Sequence, residues 1–162
     1  MRTKLLLILV FSVTLFSCNK SKSNGSCGAT LSTAVAPASE IAAVQAYITN
    51  NNIAATQHSS GLFYSISAPG TGNVAPTACS AVTVKYTGRL TNGTIFDSSL
   101  PNSITFALGN LISGWQIGIP LIKTGGSITL YLPPSLGYGS QASQSIPANS
   151  ILIFNIELVN VQ

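Results

Sequence analysis

The strongest constraint on the fold is an alternating run, "VTVKYTGRL", that leads into the dipeptide Asn92-Gly93. Apolar and polar side chains alternate along it, which is the period of a strand with one buried face. Asn-Gly is the dipeptide most typical of a tight hairpin turn. A second β-rich stretch, "TIFDSS", follows the turn. We therefore predict a β-hairpin over residues 81–98.

Several other stretches have the same short, β-rich character. A period-two pattern begins at Gly61 and predicts a strand with Leu62, Tyr64 and Ile66 on one side. The stretches "SITFAL", "GGSITLYLP" and "ILIFNIELVNV" predict three more strands. Together with the hairpin they indicate an antiparallel sheet.

Two short helices are expected beside this sheet. The stretch "ISGWQIGIP" predicts a helical turn or two that ends at Pro120 and packs Trp115 against the sheet. Apolar residues also recur at helical spacing over residues 39–49, with Ser39 as N-cap and Glu40 in the first turn. The fold class is therefore α+β, and the long loop over residues 133–150 is expected at the surface.

The beginning of the chain has the features of an exported bacterial lipoprotein. Arg2 and Lys4 precede the apolar run "LLLILVFSVTLF", which is shorter than the roughly 20 residues that a membrane-spanning helix needs. Ser17 and Cys18 follow, and the junction resembles a lipobox. We predict a signal peptide over residues 1–17 and a lipid on Cys18; the alternative is cleavage elsewhere, which leaves Cys18 without a role.

The remaining cysteines form an even pair. If Cys18 is acylated, Cys27 and Cys79 are left in an oxidising compartment, where a disulfide between them is expected. In the chain-entropy treatment, closing a loop of about fifty residues stabilises the fold by about 4 kcal/mol. Residues 18–36 are rich in Ser, Asn, Gly and Thr and are expected to form a flexible tether.

The composition excludes several classes of function. Only 6% of residues are charged, and the chain without the signal peptide has five basic and three acidic side chains. The basic residues are not clustered along the sequence, so nucleic acid is not expected as a partner. The single histidine, His58, lies in a polar linker where a surface position is favoured over a catalytic one. Without it no Ser-His-Asp triad can be built, and no metal-ligand spacing is present. We therefore expect no cofactor, no metal and no catalytic nucleophile.

Four motifs, in order, resemble those of the FKBP-type peptidyl-prolyl cis/trans isomerases. They are "VTVKYTGRLTNGTIFDSS", "GWQIGIPLIKTGG", "LYLPPSLGYG" and "SIPANSILIFNIELV", and the resemblance extends from about Gly61 to Gln162. It implies an antiparallel half-barrel sheet wrapped around one short helix, with the helix over residues 39–49 as an addition. The expected organisation is then a signal peptide (1–17), a lipidated tether (18–36), an N-terminal helix and linker (37–60) and an isomerase domain (61–162).

The resemblance also assigns a prolyl pocket, position by position. Trp115 would form its floor, the hydroxyl of Tyr138 and the backbone N–H of Ile112 would donate hydrogen bonds to the peptide, and Asp97 would lie at its edge. The walls and rim would be formed by Tyr86, Phe96, Phe106, Phe154, Leu111, Ile112 and Ile146.

Plainer interpretations of these residues stay open. The aromatic residues could be ordinary core, and for Phe106 in particular both interpretations are open. Asp97 could be a strand-end carboxylate that binds local backbone N–H groups instead of facing a substrate.

The function that the resemblance implies is isomerisation of Xaa-Pro bonds in exported proteins. We expect a monomer in the bacterial cell envelope that faces the periplasm and is attached to the membrane only by its N-terminal lipid. It is also expected to bind a rapamycin-type macrolide. A non-catalytic peptide-binding or chaperone module with the same groove is the alternative. A structural or adhesive lipoprotein is a third hypothesis, which predicts no proline-dependent binding.

Overall fold

A computed structural model of the chain describes residues 27–143 and 145–162. The predicted signal peptide and Cys18 lie outside the described residues. Within them, no helix is long and apolar enough to cross a membrane. The main elements are helix α1 (Ala38–Asn50), strands β1 (Thr56–Gln57), β2 (Phe63–Ala68), β3 (Ala81–Leu90), β4 (Ile95–Ser98) and β5 (Ile104–Ala107), helix α2 (Ser113–Gly118), and strands β6 (Gly126–Leu132) and β7 (Leu152–Val161).

These strands form one antiparallel sheet in the order β1-β2-β6-β7-β3-β4. The long strands β3 and β7 pair from Val82 opposite Val161 to Leu90 opposite Leu152. The other edge of β3 pairs with β4 at one end and with β5 at the other. The predicted α+β fold and the hairpin over residues 81–98 are confirmed, and Gly93 has the positive φ of +87° that the turn requires.

Helix α2 packs on one face of this sheet, which we call the inner face. A Cβ atom on Gly114 would lie 2.5 Å from a methyl carbon of Leu132, and one on Gly118 would lie 2.5 Å from a methyl carbon of Leu130. The two glycines are four residues apart and therefore share one side of the helix. Their missing side chains allow the helix backbone to approach β6 closely. Trp115, only 4% exposed, is buried as predicted.

Helix α1 covers part of the opposite, outer face. Because neighbouring residues of a strand point to opposite faces, Leu62 belongs to the inner core while Phe63 packs under α1. The other buried members of this second cluster are Val44, Ile48, Tyr131 and Ile153. Ile66, which lies on the same side of the chain as Leu62, is 40% exposed. The period-two pattern could not reveal that a helix covers the other face and buries Phe63.

Three local expectations differ from the fold. Pro37, and not Ser39, is the N-cap residue of α1, and its carbonyl accepts the N–H groups of Glu40 and Ile41. Helix α2 ends at Gly118, and Pro120 does not stop the helical turns but lies within a following 3₁₀ turn, Ile119–Leu121. The loop over residues 133–150 is only partly at the surface, because its apolar side chains at Leu136 and Ile146 are buried.

The stretch from Cys27 to Ala36, expected as the end of a tether, packs along the domain. Ala36 is buried, and its N–H donates to the carbonyl of Ser60 at 2.9 Å. Leu31 packs against the inner core. The Cα atoms of Cys27 and Cys79 are 5.6 Å apart, which is a disulfide spacing. We call residues 27–36 the N-terminal strap.

Candidate active site

A cavity of about 150 Å³ opens between α2 and the inner face of the sheet. Apolar cavities of about this volume accept benzene-sized rings. A five-membered ring therefore fits this space. The residues that line the cavity come from four strands, the turn before α2, α2 itself and the loop after β6: Tyr86, Asp97, Phe106, Leu111, Ile112, Trp115, Tyr138 and Phe154.

The floor of the cavity is an aromatic cluster centred on Trp115. The Trp115 ring centroid lies 5.0 Å from that of Tyr86, 5.2 Å from Phe154 and 6.1 Å from Phe106. All three pairs are edge-to-face, which is a favoured aromatic geometry. Side chains locked in this way present a pre-formed apolar surface. Phe106 takes part in both the packing and the cavity lining.

Phe96 and Ile146 lie beside this cavity and do not line it. Both line an adjoining polar recess of about 290 Å³ that shares Asp97 and Tyr138 with the first cavity. The Phe96 ring stands edge-on to Phe154, with centroids 5.5 Å apart. All ten residues predicted for the pocket thus lie in or beside one concavity, although these two are not in the lining of the apolar part.

Gly88 is a residue of this site that the sequence analysis missed. A Cβ atom at this position would lie 2.6 Å from the ring of Phe96 and 2.8 Å from that of Phe154. Only glycine allows both rings to close over β3. The signal in the sequence was a glycine inside a strand, which often marks a close approach.

The carboxylate of Asp97 binds the hydroxyl of Tyr86. Tyr86 on β3 donates to Oδ2 of Asp97 on β4 at 2.6 Å, a diagonal contact, since the residue directly opposite Asp97 is Gly88. Tyr86 is buried and Asp97 is exposed at the mouth. Burial, followed by the hydrogen bond and charge of Asp97, raises the pKa of Tyr86 well above its usual value of 10.0. Tyr86 is therefore a neutral donor, held in one orientation.

Two hydrogen-bond donors at the mouth have no protein partner among the described residues. The Tyr138 side chain is 43% exposed, and its hydroxyl donates to no protein acceptor there. Burial, and secondly the charge of Asp97, raises the pKa of Tyr138. The Ile112 N–H is likewise unpaired within this part of the chain, while the Ile112 carbonyl accepts the N–H of Trp115 at 2.9 Å. The site can hold an apolar ring and bind carbonyl oxygens.

The remaining candidate groups lie outside this site. His58 is half-buried, and its Nδ1 is paired with the hydroxyl of Ser60 at 2.9 Å. Across residues 27–143 and 145–162, no three His, Cys, Asp or Glu side chains are grouped as metal ligands would be. Asp97 binds Tyr86 and not the local backbone N–H groups that the plainer interpretation required.

The chain is similar to proteins of known family. Residues 72–159 match the family described as FKBP-type peptidyl-prolyl cis-trans isomerase. The chain is 51% identical, over 106 residues, to the FKBP-type peptidyl-prolyl cis-trans isomerase FkpA of Buchnera aphidicola subsp. Schizaphis graminum; the match covers 64% of this chain and 42% of that protein. The chain thus spans about two fifths of the length of this relative.

Solved structures have the same fold. The crystal structure of FkpA from Escherichia coli superimposes with a TM-score of 0.70 at 36% identity, over 77% of this chain and 60% of that chain. A peptidyl-prolyl cis-trans isomerase from Pseudomonas syringae pv. tomato gives a TM-score of 0.67 at 30% identity, over 78% of this chain and 97% of that chain. The family match covers more than half of the chain and the four motifs lie in it, so this protein belongs to the FKBP-type peptidyl-prolyl cis-trans isomerase family.

Proposed function

We propose that this protein isomerises Xaa-Pro bonds of exported proteins, with the prolyl ring seated over Trp115. The observation that carries the proposal is a ring-sized aromatic cavity whose mouth bears two donors, at Ile112 and Tyr138, that have no partner among residues 27–143 and 145–162. Membership of the isomerase family supports the same reaction.

Binding in such a cavity lowers the barrier without covalent chemistry. Rotation about the bond is opposed by about 18–20 kcal/mol because amide resonance makes the C–N bond partly double. The planar amide is more charge-separated than the twisted one, so transfer from water to an aromatic pocket disfavours the ground state relative to the transition state. A thousandfold acceleration requires only about 4 kcal/mol.

The polar groups at the mouth orient the peptide. In this proposal, the Ile112 N–H and the Tyr138 hydroxyl donate to carbonyl oxygens of the bound chain, and Phe106, Phe154 and Leu111 enclose the ring. Asp97 fixes the hydroxyl of Tyr86 and so sets the angle of the wall that Tyr86 forms. No group transfers a proton, which is consistent with the position of His58 away from the cavity.

The direct test is the cis-to-trans relaxation rate of an Xaa-Pro peptide with the purified protein carrying Cys18→Ser. We expect catalysis that a rapamycin-type macrolide abolishes, because the drug would occupy the same cavity. Macrolide binding without turnover would contradict the proposed activity and favour the non-catalytic peptide-binding module. A folded protein with neither property would contradict both.

Removing the Asp97 carboxylate should reduce activity. We expect Asp97→Ala to lower kcat/KM about tenfold, which corresponds to about 1.4 kcal/mol, because Asp97 is exposed and its charge-assisted hydrogen bond then contributes at the lower end of the usual range. Asp97→Asn keeps an oxygen acceptor for Tyr86 and should stay within about threefold of the parent protein. Peptide isomerisation rates of the two variants, with thermal unfolding as a control for folding, measure this difference. Unchanged rates for Asp97→Ala would remove Asp97 from the mechanism.

The activity should be insensitive to alkaline pH over a wide range. Tyr86 and Tyr138 both have raised pKa values, so both hydroxyls stay protonated through about pH 10, the ordinary pKa of tyrosine. We expect constant kcat/KM from neutral pH to about pH 10. An inflection well below that value would show that an ionisation controls the rate.

The same pKa shift predicts how stability depends on pH. The pKa of Tyr86 is higher in the folded state, so its contribution is complete below about pH 10 and is lost as the pH rises towards the folded value. Unfolding free energies should therefore fall above about pH 10, and Tyr86→Phe should reduce that decline.

We further propose a lipid on Cys18, a position in the cell envelope facing the periplasm, and a disulfide between Cys27 and Cys79. The short apolar leader with Ser17-Cys18 supports the first two, and the 5.6 Å Cα spacing supports the third. A monomer is proposed as well. The intact mass of the mature protein tests both modifications, since acylation adds mass and pairing removes two hydrogen atoms. An unmodified, fully reduced chain would contradict both.

A further inference from the structure

We propose that Gln116 is a positioning residue that couples the N-terminal strap (residues 27–36) to the pocket segment at Leu111 and Ile112. The inference rests on the proposed function. In addition to that function, the strap and the Cys27–Cys79 pair acquire a role in the geometry of the site.

The side-chain amide of Gln116 makes three hydrogen bonds. Its Nε2 donates to the carbonyl of Leu111 at 2.7 Å and to that of Gly109 at 3.1 Å. Its Oε1 accepts the N–H of Ser32, in the strap, at 2.9 Å. Both donors and one acceptor position are therefore used, and only a primary amide supplies both functions in one planar group.

Position explains why these bonds matter to the pocket. Gln116 directly follows Trp115, the floor of the cavity, on helix α2. The two carbonyls that it holds belong to the turn that leads into Ile112. Since the Ile112 N–H is unpaired in the described part of the chain, nothing on that group itself fixes its direction. Its orientation follows from the planar peptide unit that it shares with the Leu111 carbonyl, which Gln116 holds.

The strap reaches the same turn by a second route. The residues on either side of Cys79 accept hydrogen bonds from this turn. The N–H of Gly109 donates to the Ala78 carbonyl at 3.1 Å, and the N–H of Leu108 donates to the Ser80 carbonyl at 3.0 Å. A Cβ atom on Gly109 would lie 3.5 Å from the Cβ of Ala29 in the strap. The Cys27–Cys79 pair thus joins the strap to the chain beside the Leu108–Asn110 turn.

Both routes converge on one short segment. The amide of Gln116 bridges strap and segment from the side of α2, and Ala78 and Ser80 hold it from the side of Cys79. If the strap is released, Gln116 loses its acceptor contact with Ser32, and the turn is held only from within the domain. Loosening should therefore appear first at Gly109 and Leu111, whose N–H groups are both hydrogen-bonded.

The test compares Gln116→Met, Gln116→Glu and the double variant Cys27→Ser/Cys79→Ser in otherwise intact protein. Gln116→Met removes all three bonds, whereas Gln116→Glu keeps the acceptor for Ser32 but loses both donors. Gln45→Met is the matched control, because Gln45 makes one exposed hydrogen bond, to Thr49 on α1. Peptide isomerisation and amide hydrogen exchange are measured on each protein.

We expect Gln116→Met and Gln116→Glu to lower kcat/KM about five- to tenfold, mainly through KM, since a misplaced donor weakens peptide binding. Exchange at Gly109 and Leu111 should accelerate about tenfold more than exchange in β7. The cysteine variant should act in the same direction, and combining it with Gln116→Met should give less than the product of the two effects. Gln45→Met should change neither quantity.

Independent, multiplicative effects of the two changes would overturn the coupling. A uniform rise in exchange with unchanged kcat/KM would reduce Gln116 to a purely structural residue and would also overturn the proposal. An inactive parent protein would contradict the proposed function alone, because the exchange pattern at Gly109 and Leu111 does not depend on turnover.

Discussion

The close approach of helix α2 to the inner face of the sheet is the contact on which the site depends. Gly114 and Gly118 remove the side chains that would otherwise separate the helix from Leu132 and Leu130. Trp115, which lies between these glycines in the sequence, is thereby buried and forms the floor of the cavity. A side chain at either glycine would lift the helix and with it the floor of the cavity, because packed interiors have little free volume.

The site is built from aromatic packing and few charges. Asp97 is the one carboxylate in the cavity lining, and it acts on Tyr86 through a hydrogen bond while it stays exposed itself. Few charges suit the proposed isomerisation, in which desolvation and orientation would lower a barrier that is set by amide resonance. The raised pKa values of Tyr86 and Tyr138 agree with hydroxyls that act only as donors.

Helix α1 and the N-terminal strap, both of which precede the family match, are attached to opposite sides of the domain. Helix α1 covers the outer face through Val44 and Ile48, and its Glu40 carboxylate accepts the N–H of Ser135 at 2.8 Å, near the loop that carries Tyr138. The strap lies on the α2 side and meets Gln116. Both additions thus touch segments that lead into the mouth of the cavity.

The sequence by itself determined the hairpin and the α+β class, because strand period and turn chemistry are local properties, and its ordered motifs indicated the family and a set of residues that lie in or beside one concavity. It did not reveal the burial of Phe63, the tight contact at Gly88 or the three bonds of Gln116. These depend on which residues meet across long separations, as Ser32 and Gln116 do, 84 positions apart. Only the tertiary structure decided those contacts, since packing and not local pattern sets which faces are covered.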